Sequence, residues 1–171
     1  MVMEARDVLD VLAVLEEAGI DRLWIDGGWG VEALLGAQHR DHDDLDLVVP
    51  TETVDDVTAT LAEVGFEIDV DARPTRVSLK DRTGRVVDLH PIQFDPEGPA
   101  LQIGAGPNGD DAEYPTDSLG AHGWVGGERV HCISPDLQVA HHSGYEPTDR
   151  DREDMARIQE RFAVALPDAY R

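Results

Sequence analysis

The sequence is poor in cysteine, in lysine and in positive charge as a whole. Its only cysteine is Cys132, which excludes an intramolecular disulfide and a multi-cysteine zinc site. Lysine and arginine together number 14 against 36 aspartates and glutamates, which gives a net charge of −22. Phosphate backbones and anionic lipid surfaces attract basic proteins, so we expect neither nucleic acid nor a membrane as a partner.

Residues 1–20 also lack the apolar run of a signal peptide or a membrane span, because acidic side chains are spread through them. Together with the single cysteine, this predicts a cytoplasmic protein. The chain is still 41% hydrophobic, which is enough to build a core, and its 171 residues favour one domain.

Hydrophobic periodicity and turn residues divide the chain into alternating elements. They predict helices over 3–18, 29–35, 51–64, 135–142 and 148–164, and strands over 22–26, 44–49, 66–71, 75–80 and 85–94. This order predicts an α+β (mixed α/β) domain in which helices flank a mixed sheet of about four to five strands. We assign the core to residues 1–95. A glycine- and proline-rich loop and a short helical C-terminal segment, over 96–171, would pack on the same domain.

Two aspartates lie two positions apart at the start of the strand predicted over 44–49. On such a strand Asp44 and Asp46 would share one face, where their carboxylates repel each other. A divalent ion relieves that repulsion, and oxygen ligands suit Mg²⁺ or Mn²⁺. The alternative is a solvated strand face, which is common in so acidic a protein.

A third aspartate, Asp88, lies among apolar residues in the strand predicted over 85–94. An isolated carboxylate there is costly. If this strand neighbours the strand over 44–49, Asp88 completes a cluster of three carboxylates. It could then bind metal or act as a general base. The alternative is an ion pair with an arginine such as Arg76.

Two glycines, Gly27 and Gly28, separate a predicted strand from a short helix. Glycine lets a backbone approach a phosphate closely, and a helix N-terminus supplies N–H donors and a favourable dipole. A tight turn explains the same pair of glycines equally well. The glycines, the aspartate pair and the third aspartate nevertheless occur in the order that a nucleotidyl-transfer site would use.

The segments that carry these residues resemble a known family. They are residues 23–36 with Asp26-Gly27-Gly28-Trp29-Gly30, then Arg40 and His42-Asp43-Asp44-Leu45-Asp46, and finally Val87-Asp88-Leu89-His90-Pro91. They resemble the active-site signature of the small antibiotic nucleotidyltransferases, the lincosamide and aminoglycoside O-nucleotidyltransferases of the polymerase-β-like superfamily. Residues 130–135 and 142–147 resemble the C-terminal segment of that family. The resemblance covers nearly the whole chain and is loosest over 95–128.

The resemblance implies the polymerase-β-like nucleotidyltransferase fold and a role for each of these residues. Asp44 and Asp46 would bind the Mg²⁺ (or Mn²⁺) ions that bridge ATP or another nucleoside triphosphate. Asp88 would bind metal or activate the acceptor hydroxyl. Gly27 and Gly28 would hold the phosphates, with further contacts from Arg40 and His42.

The implied reaction is transfer of a nucleoside monophosphate, AMP from ATP, to a hydroxyl of a small molecule such as a lincosamide or aminoglycoside, with release of pyrophosphate. Residues 95–128 would shape the acceptor cleft, and the insert around Asn108 to Asp117 falls where the acceptor would be chosen. One alternative is an antitoxin-like nucleotidyltransferase that modifies a partner protein, and another is a member that keeps the fold for binding or a different reaction. A homodimer is compatible with the sequence.

Overall fold

The computed structural model describes residues 1–170. The helices are α1 (Ala5–Glu17), α2 (Gly27–Leu35), α3 (Val54–Glu63), α4 (Pro135–His141) and α5 (Asp149–Phe162). The strands are β1 (Trp24–Ile25), β2 (Leu45–Pro50), β3 (Phe66–Ala72), β4 (Arg76–Asp81), β5 (Val86–Ile92), β6 (Ala100–Gln102), β7 (Ala112–Tyr114), β8 (His122–Val125) and β9 (Glu128–His131). Every helix and strand predicted from the sequence is present, with ends that differ by a few residues.

The main sheet has five strands in the order β1-β2-β5-β4-β3. β2 and β5 are parallel, whereas the other neighbouring strands are antiparallel. The predicted mixed sheet and the α+β class are therefore confirmed. The parallel pairing places Asp46 of β2 directly opposite Asp88 of β5.

The two faces of the sheet are buried against different parts of the chain. Because side chains alternate along a strand, Leu47 and Val49 of β2 pack into the larger core cluster, and Val48 packs into a smaller one on the opposite face. Apolar residues of α1, α2, α3 and α5 complete the larger cluster. The smaller one contains Tyr114 of β7 and Leu137 of α4. Residues after 95 thus contribute to both clusters, while a boundary at residue 95 stays a prediction.

The glycine- and proline-rich segment contains short elements that the sequence did not predict. Two-stranded sheets form from β6 with β7 and from β8 with β9. Their strands have three or four residues, too few to show a clear period of two. Among residues 1–170, no helix is long and apolar enough to cross a membrane.

Two element boundaries differ from the prediction in ways that affect the site. Helix α2 begins at Gly27 rather than at Trp29, because Asp26 caps it by accepting a hydrogen bond from the Gly27 N–H at 2.6 Å. Strand β2 begins at Leu45, so Asp44 lies just before the strand and not within it.

Candidate active site

Three carboxylates converge at one end of β2 and β5. Asp46 and Asp88 are register partners in the parallel pair, and Asp44 reaches them from the residue before β2. One carboxylate oxygen from each lies within 4.8 Å of the other two. The structure therefore brings together the three aspartates that the sequence singled out.

The chemistry of this cluster fits a divalent cation. Burial raises the pKa of Asp44, and the charges of Asp46 and Asp88 raise it further. Asp88 Oδ1 is buried and has no hydrogen-bond partner within residues 1–170. Arg76, the alternative partner predicted for Asp88, has its Nη1 3.9 Å from Asp88 Oδ2. The ring of His90 lies 3.3 Å from Asp46 Oδ1 and is shared with Asp26. These two positive groups do not neutralise the four carboxylates that they face, so the cluster keeps a negative charge that a divalent ion would offset.

The N-terminus of α2 lies directly against this cluster. A Cβ atom built on Gly27 would meet the carboxylate of Asp46, and one built on Gly28 would meet the ring of His42 and the guanidinium of Arg40. Any larger residue would fill the space between the helix terminus and these side chains. The two glycines therefore keep the start of α2 free of side-chain atoms beside the carboxylates, although the Gly27 N–H itself is bound to Asp26 Oδ1. A helix N-terminus that side chains leave uncovered is suited to phosphate binding.

A buried glutamate that the sequence analysis missed organises the segment before Asp44. Glu32 of α2 accepts hydrogen bonds from the backbone N–H groups of His39 and Arg40 at 2.9 and 3.2 Å. Its carboxylate also lies 2.9 Å from His39 Nδ1 and 2.9 Å from His42 Nε2. Burial alone would raise the pKa of Glu32, but the contacts with His42 and His39 lower it. Glu32 is thus held as a carboxylate that fixes residues 39–42.

The two residues predicted to contact phosphate both have partners inside the protein. His42 is buried and bound to Glu32. Arg40 donates hydrogen bonds from Nη2 and Nε to Asp154 Oδ2 of α5 at 2.8 and 3.0 Å. Both side chains adjoin Gly28, so a phosphate at the α2 terminus would lie near them. Their role in nucleotide binding stays a prediction.

A second missed residue, His90, bridges two carboxylates. Its Nδ1 lies 3.4 Å from Asp26 Oδ2, and its Nε2 lies 3.3 Å from Asp46 Oδ1. Burial alone would lower the pKa of His90, but Asp26 and Asp46 raise it to about 10. The cap of α2 and the central aspartate of the cluster are therefore held together by one imidazolium ring.

The polar contacts continue from Asp26 into the wall of a cleft. The Tyr114 hydroxyl of β7 donates to Gln102 Oε1 at 2.9 Å and approaches Asp26 Oδ2 at 3.3 Å. Burial alone would raise the pKa of Asp26, but His141 and His90 hold it well below its usual range. The Asp26 carboxylate therefore contacts the first N–H of α2, the ring of His90 and the hydroxyl of Tyr114 in the cleft wall.

The cleft beside the cluster has a volume of about 750 Å³. Its lining includes Gly27, His90 and Arg76, which adjoin or contact the carboxylate cluster. The rest of the lining comes mainly from residues 104–107, 111–114 and 140–145. The segment predicted to select the acceptor therefore lines the space where a second substrate would meet the cluster.

Comparison with known proteins settles the family. The sequence model for aminoglycoside-2''-adenylyltransferases matches residues 7–158. The chain belongs to the aminoglycoside-2''-adenylyltransferase family. The resemblance to antibiotic nucleotidyltransferases is thereby confirmed, and the protein is an enzyme of the nucleotidyltransferase type.

Relatives of this adenylyltransferase family member act on two classes of antibiotic, according to their names. A lincosamide resistance protein from Staphylococcus haemolyticus is 32% identical over 136 residues, which cover 80% of this chain and 83% of that protein. A 2''-aminoglycoside nucleotidyltransferase from Klebsiella pneumoniae is 30% identical over 124 residues, which cover 72% of this chain and 64% of that protein. The match thus spans less than two thirds of the aminoglycoside enzyme.

Solved structures confirm the polymerase-β-like fold of this family member. The lincosamide adenylyltransferase LnuA, with lincomycin bound, superposes with a TM-score of 0.78 and 28% identity, covering 93% of this chain and 98% of LnuA. ANT(2'')-Ia in complex with adenylyl-2''-tobramycin gives a TM-score of 0.72, covering 91% of this chain and 87% of its own. Its 22% identity supports the fold alone. Nucleotidyltransferases of this kind use a nucleoside triphosphate and a divalent metal ion.

Proposed function

We propose that this enzyme transfers AMP from ATP to a hydroxyl group of a lincosamide or aminoglycoside antibiotic and releases pyrophosphate. The observation that carries the proposal is the convergence of Asp44, Asp46 and Asp88 beside a cleft of about 750 Å³. The cleft is large enough for a drug-sized molecule. The antibiotic relatives favour this reaction over the predicted alternative of a partner protein as acceptor.

Asp44 and Asp46, with Asp88, would hold Mg²⁺, whose charge offsets that of the triphosphate and of the departing pyrophosphate. Gly27 and Gly28 leave the α2 terminus open to receive the phosphates, and Arg40 and His42 flank the same place. Asp88 accepts the proton of the acceptor hydroxyl. The hydroxyl oxygen then forms a bond to the α-phosphorus as the bond from that phosphorus to pyrophosphate breaks.

A lincosamide is the first acceptor class that we propose. The relative named for lincosamide resistance matches over most of its own length, and LnuA superposes over nearly all of its chain. An aminoglycoside is the second class, because Asp111 and Glu113 add carboxylates to the cleft. A polycationic acceptor would also be attracted by the net charge of −22.

A direct assay would identify the acceptor. We expect purified protein with ATP and Mg²⁺ to convert lincomycin into a product heavier by one AMP unit, with one pyrophosphate released per product. Mass spectrometry and a coupled pyrophosphate assay would measure both. A chelator should stop the reaction. If tobramycin forms the AMP adduct and lincomycin does not, the acceptor belongs to the aminoglycoside class. The absence of an adduct on both antibiotics would contradict the proposed function.

The repulsion within the carboxylate cluster gives a second prediction. The pKa of the Asp44 carboxyl is higher in the folded protein than in the unfolded chain. At a pH above both values, the ionised Asp44 carboxylate therefore lowers the free energy of unfolding. In a chelator at pH 7.5, we therefore expect Asp44→Asn to have a Tm at or slightly above that of the wild type. With Mg²⁺ at 100 times its Kd, the wild type should gain about 2.7 kcal/mol, or roughly 5–10 °C in Tm, and the variant much less.

Asp69→Asn is the control for this measurement. Asp69 is exposed on the edge strand β3 and does not belong to the group of three carboxylates. Calorimetry should show the full Mg²⁺-dependent gain in this variant. An undiminished gain in Asp44→Asn would show that Asp44 is not part of the ion site.

A further inference from the structure

Two histidines outside the active site face each other across the β8–β9 hairpin. His122 and His131 are register partners in this antiparallel pair, and both are exposed. Their ring centroids are 4.4 Å apart, with the ring planes inclined at 47°. Directly opposed residues on adjacent strands are close enough for their side chains to act together on one ligand.

These two rings differ from the other histidines of the chain. The remaining five, of the seven in the sequence, each have a ring nitrogen within reach of a polar partner in the fold; they are His39, His42, His90, His141 and His142. Within residues 1–170, no hydrogen bond or ion pair engages a ring nitrogen of His122 or His131. Their nitrogens are therefore available to a ligand from solvent.

The backbone that carries the pair is held firmly. Val125 and Val130 of the hairpin are buried in the larger core cluster. A Cβ atom on Gly123 would meet the backbone of Ala33 in α2, so β8 lies directly against that helix. The chain after His131 is tied to β1 by the hydrogen bond from Ile133 N–H to Ile25 O at 3.1 Å. The spacing of the two backbone positions that carry the rings is thus set by the fold.

We propose that His122 and His131 form a chelating pair for a transition-metal ion of the Ni²⁺, Cu²⁺ or Zn²⁺ type. Imidazole nitrogens suit these ions, whereas the three-carboxylate cluster suits Mg²⁺ or Mn²⁺. The protein supplies two donors and water completes the coordination. Asp21, Glu16 and Arg129 line a surface depression beside His131, and the two carboxylates outweigh the one guanidinium in charge near the ion. This site is separate from the proposed transfer reaction and does not depend on it.

The proposed pair can be tested with Ni²⁺ as the only added transition metal. Calorimetric titration in saturating Mg²⁺, which occupies the carboxylate cluster, should show one Ni²⁺ per chain. We expect His122→Asn and His131→Asn each to weaken Ni²⁺ binding by about tenfold or more, since either leaves a single imidazole. In the double variant, the loss of Ni²⁺ binding free energy should be smaller than the sum of the two single losses, because either substitution alone already abolishes chelation.

Glu128→Gln is the control, because it removes an exposed carboxylate from the same hairpin and leaves both rings in place. It should bind Ni²⁺ within about twofold of the wild type, as should Asp44→Asn, which alters the carboxylate cluster and leaves the contact of His90 with Asp46 in place. Wild-type Ni²⁺ affinity in either single histidine variant would overturn the proposal. So would a failure of the wild-type protein to bind Ni²⁺ under these conditions.

Discussion

Replacing Asp46 with Asn should reduce kcat/KM for nucleotidyl transfer by roughly three orders of magnitude, equivalent to about 4 kcal/mol. Asp46 occupies the centre of the site: it is the register partner of Asp88, it contacts His90, and it lies over Gly27. Asparagine keeps the shape of the side chain but removes the charge that attracts a divalent ion. Steady-state kinetics with ATP and the antibiotic that the mass-spectrometric assay identifies as the acceptor would measure the loss.

The same variant should remain folded, because an asparagine carbonyl can still accept a hydrogen bond from His90. Its Tm in a chelator should stay near that of the wild type, while the affinity for Mn²⁺, measured by electron paramagnetic resonance, falls. Asp69→Asn is the control, since Asp69 is an exposed carboxylate on the edge strand β3. A kcat/KM in Asp46→Asn within about threefold of the wild type would refute the assigned role.

Much of the fold could be predicted because most helices and strands of the main domain are long enough for their hydrophobic residues to repeat with a helical or strand period. The spacing of Val8, Val11 and Leu15 predicted α1, and all three are buried. The pairing of β2 with β5 could only be supposed, because a sequence shows which residues alternate but not which strands are neighbours. The strands β6 to β9 were missed, because elements of three or four residues carry too little pattern.

The site could be predicted in part for a similar reason. Asp44, Asp46 and Asp88 stand out locally, as closely spaced or isolated carboxylates in apolar surroundings. Glu32 did not, although it binds three residues of the segment before Asp44, because in the sequence it is one acidic residue on an otherwise apolar helix. The pairing of Asp154 with Arg40 joins residues 114 positions apart, and no local pattern reports such a contact.

The position of α2 explains why the missed residues matter. Asp26 caps its first turn, Glu32 in its middle fixes residues 39–42, and His90 ties the cap to Asp46. The helix thus sets the distance between its own N-terminal backbone and the carboxylate cluster. The residues that the sequence marked as reactive depend on this helix for their geometry.

Adding one methyl group at the start of α2 should therefore lower both kcat/KM and Tm markedly. In Gly27→Ala, the new Cβ would overlap the Asp46 carboxylate, which must turn away and lose its contact with His90. Gly27 also has a φ of 56°, in the left-handed region, where alanine costs about 1–2 kcal/mol. We expect kcat/KM to fall about 100-fold, the effect of a misplacement of about 1 Å in a catalytic group, together with a lower Tm.

Gly36→Ala separates the steric effect from the backbone strain. Gly36 ends the same helix with a φ of 75°, and a Cβ atom there has nothing within 4 Å. Backbone strain should destabilise Gly36→Ala about as much as it destabilises Gly27→Ala. Gly36→Ala should nevertheless keep the wild-type kcat/KM when the two variants are assayed well below their Tm values. Equal losses of activity in the two variants would mean that Gly27 acts only through stability. A selective loss in Gly27→Ala would show that the transfer site needs the close approach of α2 to Asp46.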